Sequence, residues 1–187
     1  MITPDALTRY LAAHPWHHET VEHWAVQGDL RLRLSLATDL PPPHVTSSIL
    51  AIVVNSRAQV LYLWPSDTRG SIAHLVLGGR SIPGETPEAT VVREVGEETG
   101  WRVVPVRMIG FRHFFHLGPR SDQTDRPYPD FVQPIYAASA LEFDRDLLIP
   151  EDRIPGEFID LATVECKIDP AQQPLLHAAA QAVIRKK

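Results

Sequence analysis

The feature that most constrains this chain is the stretch GGRSIPGETPEATVVREVGEETGW, residues 78–101, which carries five glutamates in a pattern that otherwise reads as one short helix. Thr86 is a good N-cap, Pro87 belongs at the first helical position, and Glu88 complements the positive end of the helix. Gly100 suits the left-handed residue that closes a helix, so the spacing predicts a helix over 87–99. At 100° per residue, Glu94, Glu97 and Glu98 fall within an arc of roughly 100°. Val91, Val92 and Val95 form the neighbouring stripe that can hold the helix against a sheet. A solvated acidic face would account for Glu88, and Arg93 with Glu97 can be an ordinary i,i+4 ion pair. Glu94 and Glu98 are different. They are like charges one turn apart, near the end where the helix dipole already disfavours anions, and each effect is unfavourable by a few tenths of a kcal/mol. A cation among them would relieve both. Hard carboxylate oxygens suit Mg²⁺ or Mn²⁺, which keep several waters and bind substrate phosphates. Glycines 78, 79 and 84 let the preceding loop turn tightly and present backbone groups to a metal or phosphate, with Glu85 close to the helix start.

The rest of the chain sets the context. Its 187 residues suit one domain with an added arm, and at 44% hydrophobic and 22% charged the composition is that of a soluble globular protein. A net charge of −5 argues against a nucleic-acid scaffold, which would show a basic face. It does not exclude phosphorylated small molecules, because a bound cation reverses the local sign. The single cysteine, Cys166, leaves no disulfide framework and fits a reducing compartment. No window of 18 apolar residues spans a membrane, and MITPDALTRYLAAHPW lacks the pattern of a secretory signal, so the expected location is the cytoplasm.

Along the chain, PDALTRYLAA (4–13) reads as a short amphipathic helix with Leu7, Tyr10 and Leu11 on one face. Leu30, Leu32, Leu34 and Leu36 then alternate with polar residues after a turn signal at Gly28-Asp29, predicting a hairpin. DLPPPH (39–44) is a stiff connector, so the expected organisation is an arm and connector over 1–44 and a main domain over 45–187. SSILAIVV, AQVLYLW, AHLVL, VVPVRMIGF (103–111) and DFVQPIYAAS (130–139) read as strands, and Pro134 implies an edge or a bulge. Between the last two, residues 112–129 show neither period. EFIDLATV reads as a strand or turn, and PAQQPLLHAAAQAVIRKK as a helix with a basic end. Strands around one internal helix, with another at the C-terminus, indicate an α/β or α+β sandwich.

Residues 79–101 resemble the Nudix box, G-x5-E-x7-R-E-U-x-E-E-x-G-U with U a bulky apolar residue. Gly79, Glu85, Arg93, Glu94, Val95, Glu97, Glu98 and Gly100 fall on its fixed positions, and Trp101 fills the last apolar place. The likeness implies a Nudix-type α/β/α sandwich with a mixed sheet over roughly 45–187, and hydrolysis of nucleoside diphosphates linked to another group. It implies that Glu94, Glu97 and Glu98, with the Gly78 carbonyl, ligate Mg²⁺ or Mn²⁺. Arg93 would orient the carboxylates, and Glu85 would support them or hold a metal-bound water. Repulsion among the glutamates would then be relieved when metal and diphosphate arrive. For the base that deprotonates the attacking water, Glu97, Glu98, Asp122, Asp125 and Asp130 all stay open. One departure is the pair of positions ahead of the glycines, where many relatives carry tryptophan and proline and this chain has AHLVL.

The 112–129 segment is the candidate specificity element. Tyr128 could stack on a base, Arg112, Arg120 and Arg126 could meet phosphate, and Phe114 and Phe115 read better as core. Together with Arg80 and Asp130, Arg112 and Tyr128 are the expected substrate contacts. His17, His18 and His23 fit no standard metal-ligand spacing. The expected partner is a small nucleotide-type molecule, with no stable nucleic-acid complex, no membrane, and a monomer or homodimer. A nucleotide-binding sensor without turnover is the alternative to an enzyme. An isoprenoid diphosphate isomerase would want a catalytic cysteine better placed than Cys166.

Overall fold

The computed structural model describes residues 5–64 and 74–185. Pro4, at the start of the predicted first helix, and Lys186 and Lys187, its predicted basic end at the other terminus, lie outside the described residues. Asp5 caps α1 (Ala6–Ala13), its carboxylate accepting from the Thr8 N–H at 2.7 Å. A hairpin of β1 (Trp16–Trp24) and β2 (Gly28–Leu36) follows, then β3 (Ile49–Val54), β4 (Gln59–Leu63) and β5 (Leu77–Gly79). The glutamate helix is α2 (Pro87–Thr99). After it come β6 (Trp101–His116), β7 (Asp130–Phe143), β8 (Gly156–Asp160), α3 (Leu161–Glu165) and α4 (Gln173–Ile184).

The strands form one mixed sheet in the order β1-β2-β6-β7-β3-β4-β8, with β5 paired to β3 beside β4. Only β3 and β7 pair in parallel among the named strands. Leu7 and Tyr10 of α1 and Val91 and Val95 of α2 pack on one face, over Ile49, Ala51, Val53 and Phe111. Leu175, Leu176, Ala179 and Val183 of α4 cover the other face, over Ile52 and Ile135. The α/β/α layering implied by the likeness to the Nudix box is therefore present. All six residues of β3 are buried because both its faces are covered, which explains its unbroken apolar run.

Four local readings change. The hairpin is hydrogen-bonded into the main sheet, Leu30–Leu36 pairing with His116–Gly110. Leu30, Leu32 and Leu34 are buried and Leu36 is exposed. Second, β6 runs on to His116, so the connecting loop is 117–129. The HFFH end shows no alternation because Phe114 enters one core while His113 is buried on the opposite side. Third, Val92 is 43% exposed: the inward positions of α2 are 91, 95 and 98, and Val92 lies 100° round from Val91. Fourth, of the edge or bulge expected at Pro134 the edge falls away and the bulge remains, because β7 is an interior strand. The offset between β3 and β7 changes there from 86 (Thr46↔Val132) to 85 (Leu50↔Ile135), and this slip accommodates a residue that cannot donate to the ladder.

Candidate active site

Local sequence explains why α2 presents its carboxylates rigidly. The Thr86 hydroxyl accepts from the Ala89 N–H at 3.2 Å, Pro87 opens the first turn, and Gly100 closes the helix in the left-handed conformation at φ 74°. The carbonyls at its end are not left to repel the glutamates. Glu97 and Glu98 accept backbone N–H groups from Ile149 at 3.0 Å and Ile154 at 2.8 Å.

Arg93 lies at the centre of the cluster. Its Nε and Nη2 each donate to a different oxygen of Glu85, both at 3.0 Å, in a bidentate pair. Its Nη1 donates to Glu94 at 2.8 Å and Glu97 at 3.0 Å, and Nη2 also donates to the Arg80 carbonyl at 2.9 Å. One guanidinium thus holds three carboxylates and the loop ahead of the helix. This revises the expectation that the repulsion waits for metal and substrate, because Arg93 already offsets it. It also limits what the arrangement shows of a metal: among the described residues no three carboxylates converge on a common cation position, since Arg93 draws them to itself.

Glu98 faces inward at 6% exposure and accepts the Gly78 N–H at 3.0 Å, tying the helix to β5. Gly78 has φ 136°, and a side chain there would collide with the Ile49 carbonyl. At Gly79 a Cβ would overlap the Glu94 carboxylate, so the glycine makes the cradle in which that carboxylate sits. Four hard-oxygen donors, Glu85, Glu94, Glu97 and Glu98, around a turn that only glycine fits are a donor set suited to a small divalent cation.

Thr90, which the sequence did not single out, is fully buried with its hydroxyl 2.8 Å from both Ser81 Oγ and Glu85 Oε2. A hydroxyl one turn after the N-cap, on the inward side of the helix, was the available signal.

The carboxylates divide by environment. Hydrogen bonds from Arg93 first, then from the Ile82 N–H and Thr90, hold Glu85 down at about 2. Burial pushes Glu94 above the ordinary carboxylate value, against the pull of Arg93. A depressed carboxyl stabilises the fold above its unfolded value of 4.5, and that contribution is lost as pH falls toward 2. Glu94 has the opposite sign, since its protonation relieves a cost. Wild type is therefore expected to exceed Glu85→Gln in melting temperature at pH 7, with the gap closing between pH 4.5 and 2. A gap constant across that window, read by thermal melts at stepped pH, would contradict the assignment.

The other expected contacts are more scattered. The Arg80 side chain donates to Asp125 at 2.6 Å, which places the 117–129 loop beside the cluster. Asp130 is 2.7 Å from Nε2 of the buried His113, so its carboxylate has a partner the sequence did not reveal. Tyr128 is 44% exposed, its ring centroid 5.2 Å from that of His116. Arg112 is buried beneath the hairpin rather than exposed on the loop where the sequence placed it, because the β1–β2 hairpin folds over it. Phe114 is fully buried, and Phe115 carries Arg31 over its ring at 5.7 Å. His17 and His23 are taken up separately, by the Ala171 carbonyl and by Asp29.

A family model described as the NUDIX domain matches residues 44–183. The fold also resembles solved structures. One is a pyrophosphohydrolase of Bacillus subtilis, with a TM-score of 0.53 at 20% identity over 83% of this chain and 92% of that one. Another is a NUDIX hydrolase from Nitrosomonas europaea, with a TM-score of 0.49 at 19% identity over 76% and 91%. Among curated proteins, an octanoyltransferase of Myxococcus xanthus is 34% identical over 128 residues. That match takes in 67% of this chain but 33% of the relative, so the chain spans about a third of its length. The chain belongs to the NUDIX family, and the box that carries the likeness is complete in it.

Proposed function

We propose that this protein hydrolyses the diphosphate linkage of a nucleoside diphosphate joined to a further group, with Mg²⁺ or Mn²⁺ held by Glu94, Glu97 and Glu98. The observation that carries the reading is the gathering of Glu85, Glu94 and Glu97 on Arg93, with Glu98 tied to the Gly78–Gly79 turn beside them. When bound there, the cation neutralises diphosphate oxygens and acidifies water.

The chain's own groups do the rest. Arg93 keeps Glu85 ionised and fixes the orientation of Glu94 and Glu97. Glu97, at 28% side-chain exposure against 14% for Glu94, is the more open of the two, and this openness favours it as the acceptor of the attacking water's proton. Arg80 and Asp125 bring the 117–129 loop over the cluster, where the exposed Tyr128 ring offers a stacking face to a base. A nucleotide-binding sensor is the second reading, but binding alone does not call for the complete set of box glutamates.

The test is release of phosphate or nucleoside monophosphate from a panel of nucleotide derivatives, with and without Mg²⁺ or Mn²⁺. Metal-dependent turnover of at least one compound is expected. Tight nucleotide binding with no turnover anywhere would replace the enzyme by the sensor.

A further inference from the structure

A second charged cluster lies where the hairpin meets the ends of β6 and β7. Arg112 points under Trp24, its guanidinium carbon 4.7 Å from the Phe114 ring centroid and 5.9 Å from that of Trp24. Arg126, from the 117–129 loop, approaches the same tryptophan at 5.6 Å and the Phe131 ring at 5.2 Å. Its Nη1 donates to the Ser47 hydroxyl at 3.0 Å.

These arginines are short of anions. The carboxylate nearest Arg112 is Glu22, at 3.6 Å, and it already accepts from the Trp24 indole at 2.9 Å. Among the described residues no carboxylate forms an ion pair with Arg126. The Nε–H groups of both arginines lack a hydrogen-bond partner there, as does the Gln133 side-chain oxygen, directly across the β6–β7 ladder from Arg112. Arg112 is only 7% exposed and Gln133 only 4%. Stacking on aromatic faces satisfies the guanidinium planes and leaves their edges unmet. Burial pulls Arg112 down to about 10, with Glu22 opposing and Arg126 adding to the effect. It stays charged at neutral pH, so this is a buried excess of positive charge with donors to spare.

We propose that this arginine cluster is an anion subsite, in which Arg112 and Arg126 bind a phosphate or carboxylate that the substrate carries apart from the diphosphate being cut. The proposal rests on the hydrolase reading of the carboxylate cluster. Position supports it. Arg126 directly follows Asp125, which pairs with Arg80, and the Arg80 carbonyl is held by Arg93. Ser47 stands two residues before Ile49, which pairs with Gly79. The 125–126 stretch therefore links the two clusters, Asp125 pairing with Arg80 and Arg126 bonding Ser47, and the proposal has one extended substrate span them. Glu22 and Trp24 lie outside residues 44–183, so this cluster is completed by a part of the chain the family model does not match.

The experiment titrates inorganic phosphate and, separately, acetate into the full chain without divalent cation, by calorimetry and tryptophan fluorescence. Under those conditions the carboxylate cluster repels anions and the arginine cluster is read alone. Arg126 is half-buried and can be replaced with less risk to folding than Arg112, so the variants are Arg126→Gln and Arg126→Lys. Saturable binding of one anion by wild type is expected, weakened about tenfold or more in Arg126→Gln and partly retained in Arg126→Lys. Whichever anion binds tighter identifies the group. A second arm compares KM for panel substrates with and without an extra phosphate or carboxylate, expecting a preference of about tenfold that Arg126→Gln removes. Binding of neither anion by wild type, or equal binding by wild type and Arg126→Gln, overturns the subsite even if hydrolysis stands. Anion binding without turnover of any panel compound overturns the hydrolase instead.

Discussion

Glutamine at position 98 or 97 is expected to lower kcat by about 10³-fold at saturating metal, equivalent to about 4 kcal/mol of lost transition-state stabilisation. Both variants are expected to fold. A glutamine oxygen at 98 can still accept the Gly78 N–H, and one at 97 can still accept from Arg93, so the contacts holding α2 to β5 and to the guanidinium persist. What is lost is the negative charge, and a neutral amide is a poor ligand for a hard divalent cation. The two positions should differ in detail. Glu98 is buried and tethered, so raising the metal concentration should rescue Glu98→Gln little. Glu97 is more open, and the loss in Glu97→Gln should fall mainly on kcat. Rates against metal concentration, with melting temperatures as a fold check, read both effects. Activity within tenfold of wild type in both variants would remove these carboxylates from the chemistry.

How far the sequence announced this architecture depends on the range of the interactions involved. The helix over 87–99 was legible because its cap, its proline and its closing glycine act within a few residues, and the predicted bounds match those observed. The end of β6 was not legible. Alternation marks a strand with one wet face, and residues 111–114 are buried on both sides. Nor was the union of the hairpin with the sheet, since β2 pairs with residues about eighty positions further on, and no local pattern encodes that choice. The candidate site divides the same way. Its glutamates were found by spacing on one helix. Spacing alone read Arg93 as an i,i+4 pair with Glu97, and only the likeness to the Nudix box implied that it orients the carboxylates, because the bonds to Glu85 and to the Arg80 carbonyl depend on how the 80–86 loop folds back. Trp24 over Arg112 and Arg126, and His113 on Asp130, are long-range meetings of side chains with no signature of their own.

Replacing Arg93 is expected to have the largest effect on stability, and the effect should depend on metal. In wild type the guanidinium bonds Glu85, Glu94 and Glu97 in a partly buried setting, with the arginine side chain 22% exposed. Arg93→Gln removes the positive charge and leaves three carboxylates facing one another. Charge-assisted bonds at such sites contribute about 1.5–3 kcal/mol, so with allowance for solvent screening a loss of about 3 kcal/mol is expected for the cluster. In a chain of this size that lowers the melting temperature by about 6–12 °C. Two further results separate this account from a general packing defect. Millimolar Mn²⁺ should raise the melting temperature of Arg93→Gln more than that of wild type, because the cation takes over the neutralisation the arginine provided. The difference between the proteins should also narrow below pH 4.5, because the freed carboxylates of the variant accept protons there while Glu85 of wild type is held ionised down to about 2. Equal stabilisation of both proteins by Mn²⁺, together with a pH-independent difference, would mean that Arg93 holds the loop by shape alone and that its charge is not the counterweight to the glutamates.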